Sequence, residues 1–110
     1  MSDYIPDRWV VIKISGYKDN PLPVYKVFAC WYGGFARGDS WKLNSGITAV
    51  TQEGRTYSFK GASGSVYECH EDCYGTNFYG MGVLDHLIKS GTENGLEIEV
   101  LPEDTDFMEI

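Results

Sequence analysis

At 110 residues, with 43% hydrophobic and 23% charged residues, the chain has the size and balance of one globular domain. Its charge is segregated: residues 1–92 hold nine acids and nine bases, whereas residues 93–110 hold seven acids and no base, which accounts for the whole net charge of −7. Such a chain repels phosphate backbones, and no apolar run approaches the ~20 residues a bilayer crossing needs, so neither nucleic acid nor membrane is an expected partner.

Residues 8–14 alternate as a strand, with Val10, Ile12 and Ile14 on one face and Trp9, Val11 and Lys13 on the other. Pro21 and Pro23 mark the following segment as a loop. Residues 24–31 form a second strand with little charge, which suits a position inside a sheet. A glycine-rich loop, residues 32–40, leads to a short strand at 41–43, and Ser45-Gly46 bends the chain into 47–51. Further strands are predicted at 55–60 and 65–69, as in an antiparallel meander.

The helix is predicted at about 77–90, capped by Thr76 or Asn77. Phe78, Met81, Leu84, Leu87 and Ile88 recur at helical spacing, and Gly91 suits a left-handed cap. Gly80 and Gly82 weaken the first turns but permit close approach to a sheet. Leu96, Ile98 and Val100 then alternate with Glu97 and Glu99 in a last strand. The fold expected is α+β: a curved antiparallel sheet of five or six strands, alternatively a partly closed barrel, packed by one helix. Residues 1–102 would form the domain and residues 103–110 a mobile acidic tail.

The start Met1-Ser2-Asp3-Tyr4 has no basic and apolar leader, and three cysteines make an unpaired count, so a reducing cytoplasm is expected. The loop from Gly33 to Ser40 has the glycine spacing of a phosphate-binding loop but places Asp39 where that motif needs lysine, and a strand follows it. Cys69, His70 and Cys73 resemble half of a zinc site without the second spaced pair, so no metal and no cofactor is assigned. A nucleophilic triad assembled from Cys69 or Ser63, His70 or His86, and Asp72 or Asp85 has no supporting spacing, and an enzyme is not expected.

Two surfaces carry the functional expectation. One is acidic, formed by Glu97, Glu99, Glu103, Asp104 and Asp106, and would meet a basic partner. The other is aromatic, with Trp31, Tyr32, Phe35 and Trp41 around Arg37 and Asp39, and would hold a flat ligand such as a nucleotide. The stretches at residues 7–14, 38–46 and 64–70 resemble segments of small uncharacterised accessory proteins of tailed bacteriophages. That resemblance carries no assigned activity. It implies a protein that acts in a host cytoplasm, where small acidic phage proteins bind and inhibit a host or defence protein.

Overall fold

Strand β1 (Arg8–Ser15) places apolar side chains on both faces, and both sets are buried, so it lies between two cores. Trp9 and Val11 enter one, while Val10, Ile12 and Ile14 enter the other. Strand β2 (Val24–Trp31) divides likewise, with Val27 and Ala29 opposed to Phe28 and Cys30. The two strands pair antiparallel from Arg8–Cys30 to Ile14–Val24 at the middle of a four-stranded sheet. The computed structural model describes residues 2–33 and 38–110.

The edges of this sheet are β3 (Ser40–Leu43), beside β2, and β7 (Glu97–Val100), beside β1. A second, three-stranded antiparallel sheet has the order β4 (Ile47–Glu53), β5 (Thr56–Gly61), β6 (Val66–His70). Phe59, Tyr67 and Cys69 of this sheet pack on Trp9, Val11, Val27 and Ala29, while helix α1 (Phe78–Glu93) packs its Leu84 on the opposite face. The result is three layers: helix, four strands, three strands. The N-terminal segment shields β6, since Tyr4 accepts from Glu68 N–H at 2.8 Å and Asp3 N–H donates to Val66 at 2.9 Å.

The α+β class holds, whereas the expected single sheet of five or six strands, or a barrel, does not. Seven strands separate into two sheets because the chain is diverted after Leu43. Buried Asn44 accepts the Val27 N–H on its side-chain oxygen at 2.9 Å, substituting for a further strand residue. Gly46, at φ +122°, then turns the backbone toward β4.

Asn77 caps α1, accepting the Gly80 N–H at 2.6 Å. The helix runs past the expected end, through Gly91 to Glu93, and the left-handed position falls to Gly95 at φ +78°. Gly91 serves packing instead: a methyl group there would lie 2.7 Å from Ile98 Cδ1. Among the described residues no helix is long and apolar enough to cross a membrane.

The segment expected as a mobile tail is docked. Phe107, 2% exposed, packs among Trp9, Tyr57, Phe59 and Tyr74, in a short 3₁₀ turn at Phe107–Glu109. Seven acids in eighteen residues disguise this anchor, whose buried ring offsets part of the entropy cost of ordering the segment.

Candidate functional site

The C-terminal segment brings Glu103 and Asp104 to the mouth of a cleft of about 370 Å³. Glu71 and Asp72, in the 3₁₀ turn after β6, also line it, together with Arg55 from the β4–β5 turn. Below these polar groups lie Trp9, Tyr57, Tyr74 and Phe107. Arg55 bonds Glu71 at 3.0 Å and also pairs with Asp72, so its guanidinium is engaged by two of the four cleft carboxylates. The Tyr74 hydroxyl donates to the Leu101 carbonyl and accepts the Val11 N–H at 3.2 Å, which ties the cleft to the sheet. Burial raises the pKa of Tyr74, and the Glu103 carboxylate raises it further, so the ring stays a neutral donor.

The other predicted acids behave individually. Glu97 and Glu99 project from the exposed edge strand β7, opposite Ser15 and Lys13 respectively. Glu99 therefore has a basic neighbour across the ladder, and Glu97 does not. Among the described residues, the ion pairs are those of Arg55 and the His70–Asp72 contact, none of which involves an acid of residues 93–110. Asp106 is used locally, accepting the Met108 N–H at 3.1 Å.

No family model matches the chain. No curated protein and no solved structure matches it significantly either.

Among the described residues, Trp31 and Trp41 of the aromatic pocket expected around the glycine loop do not share a face. Trp41 pairs with Cys30 and Trp31 with Ser40, so the two indoles emerge on opposite faces of the sheet. Trp31 is half-buried toward the small sheet, donating to the Ile5 carbonyl at 3.0 Å beside Tyr4. Trp41 stacks on Phe28 on the helix side, with centroids 5.5 Å apart. Tyr32 is exposed, and its N–H donates to Asp7 at 2.8 Å. Asp39 is a bracket, accepting from Gly33 N–H and from the Asn77 side chain, each at 3.2 Å. Phe35 and Arg37 lie outside the described residues.

Cys69 points into the core and neighbouring His70 is exposed, as alternation along β6 requires, so they do not converge with Cys73 on one point. Among the described residues, no three His, Cys, Asp or Glu side chains are grouped to hold a metal. Burial pushes the Cys69 and Cys30 thiols above their ordinary values, which disfavours the nucleophilic thiolate. Ser63 Oγ is bonded to Ser45 at 3.1 Å.

Sequence reasoning missed the acidic cleft because its parts come from four separated segments. Glu71 and Asp72 stand in a short turn after β6, and only their meeting with Glu103 and Asp104 gives them a concave setting. Of the α1 face read from the sequence, Leu84, Leu87 and Ile88 pack on the helix-side core, but its first turn does not. Phe78 is 94% exposed and Met81 is exposed, while Gly80, Leu84 and Gly91 are buried. Small residues at the contact allow the helix close to the sheet, a signal that a count of large apolar residues overlooks.

Proposed function

We propose that the protein is a non-catalytic binding module whose acidic side engages a basic surface of a partner protein. The cleft carries this reading. Four carboxylates with one compensating guanidinium stand beside the half-buried rings of Tyr57 and Tyr74, an arrangement that suits a lysine or arginine side chain. Glu97, opposite Ser15 on the edge strand β7, adds a separate exposed carboxylate. Docking of Phe107 holds Glu103 and Asp104 in place before binding, which lowers the ordering cost that a free acidic tail would carry.

The resemblance to phage accessory proteins makes a host or defence protein with a basic surface the fitting partner. Occupying that surface would displace an anionic ligand such as nucleic acid, which is how binding becomes inhibition. The alternative, a nucleotide-like ligand between Trp31 and Trp41, loses support because their side chains lie on opposite faces.

The test is affinity capture from bacterial lysate at low and high salt, using the wild-type chain and a Glu97→Lys/Glu103→Lys/Asp104→Lys variant. A partner held by the wild type at low salt, released by salt and not captured by the variant supports the acidic surface. Capture that survives both changes, or no capture at all, overturns it.

A further inference from the structure

The sheet edge farthest from β7 is β3, where Ser40, Trp41 and Lys42 are exposed. The Asn44 N–H donates to the Val27 carbonyl at 3.0 Å, which sets the phase of the β2–β3 ladder. Alternation makes Ala29–Lys42 the next hydrogen-bonded pair, so the backbone N–H and C=O of Trp41 and Leu43 face away from β2. This edge has no proline and no bulge to discourage pairing.

Beside it, between β3 and α1, runs a shallow groove of about 560 Å³ lined by Trp41, Phe78, Tyr79, Gly82, Val83 and His86. Trp41 is 38% exposed and Tyr79 45%, beside the nearly bare ring of Phe78. A methyl group at Gly82 would meet nothing within 4 Å, so the helix leaves the groove open.

We infer that this corner docks an extended peptide of another protein, which joins β3 as a fifth strand and sets alternate apolar side chains on Trp41, Phe78 and Tyr79. The outward-facing amides specify a strand rather than a helix, and the groove specifies apolar residues at every second position. A second copy of this chain fits poorly. The exposed parts of Trp41, Phe78, Tyr79 and Met81 amount to roughly 500 Å², against about 800 Å² per partner in a stable dimer. In the symmetric register that sets Trp41 opposite Leu43, Lys42 would also lie opposite its own copy, like charge on like. A peptide with a neutral or acidic residue there meets Lys42 without that conflict. The site is independent of the acidic surface, which lies at the other end of the sheet.

The experiment selects short random peptides from a displayed library on the immobilised full-length chain, then titrates a selected synthetic peptide into the isotope-labelled protein. Selected peptides should carry apolar residues at alternate positions, and the Trp41 and Leu43 amides should shift and become protected from exchange. Trp41→Ser and Phe78→Ser should each weaken binding about tenfold, while Glu97→Lys leaves it unchanged. Should Trp41→Ser disturb the stack on Phe28, the exposed Phe78→Ser variant carries the test alone. Enrichment without alternation, binding that leaves both amides unprotected, or protection of both amides in a self-associated chain without peptide overturns the proposal.

Discussion

Phe107 lies 5.4 Å from Trp9, centroid to centroid, and this contact joins the acidic C-terminal segment to the central strand of the larger sheet. Both rings are sealed from water, so the carboxylates that flank Phe107 are held by the core beneath them. Replacing Phe107 with alanine should cost about 3–5 kcal/mol, read as a lower denaturant midpoint at an unchanged slope. Hydrogen exchange of residues 103–110 should rise in the same variant. A loss under about 1 kcal/mol would mean that the ring contributes little to the core.

At the helix start, Gly80 lies against Cys30 and against its own cap. A methyl group there would sit 2.9 Å from Asn77 Oδ1 and closer still to Cys30 Sγ. Gly80→Ala should therefore destabilise the fold by about 1–3 kcal/mol, although alanine is the better helix former by about 1 kcal/mol. Gly82→Ala, which meets open space, should stabilise by a few tenths to about 1 kcal/mol. The pair of thermal melts distinguishes packing from propensity.

Asn77 joins the helix to the glycine loop through two different atoms, its oxygen to Gly80 N–H and its amide to Asp39. Asn77→Ala should cost about 1–2 kcal/mol by removing the cap. Asp39→Asn should cost less, since an amide oxygen can still accept from Gly33. Chemical denaturation of both variants gives the order.

Burial raises the folded-state values of Cys69, Cys30 and Tyr74, and pushes Tyr67 up to about 12. The unfolded chain releases these protons first, from 9.0 for the thiols and 10.0 for the phenols. Stability from these groups is complete below pH 9 and declines as the pH climbs above those unfolded values. The decline is on the order of 1 kcal/mol per pH unit for each fully buried thiol. Denaturation at pH 8 and pH 10 should show the loss, and Cys69→Ala should flatten it relative to wild type. A thiol reagent at pH 8 should modify half-buried Cys73 in the native protein, and Cys30 and Cys69 only after unfolding.

Much of the fold was legible as local pattern. Strand β2 begins and ends where its alternation does, and Val10 and Val11 lie on the two sides that period two assigns them. The acids of residues 97–104 were correctly read as exposed. Illegible were the division into two sheets, where the Asn44 side chain takes the Val27 N–H, and the contact of the α1 glycines Gly80 and Gly91 with the sheet in place of Phe78 and Met81. That Trp31 and Trp41 cannot wall one pocket follows from the pattern once the β2–β3 register is known: Trp31 faces Ser40, so Trp41 must point the other way.

By itself, the sequence determines which segments are strands, where the helix is capped, and that the excess charge collects at one end, because these depend on neighbours a few residues apart. Tertiary structure alone decides that Phe107 anchors that end and that Glu71 meets Glu103. It also decides that Trp41 meets Phe78 along an open strand edge. Those relationships join residues more than thirty positions apart, and only the packing of one layer on another brings such side chains within reach.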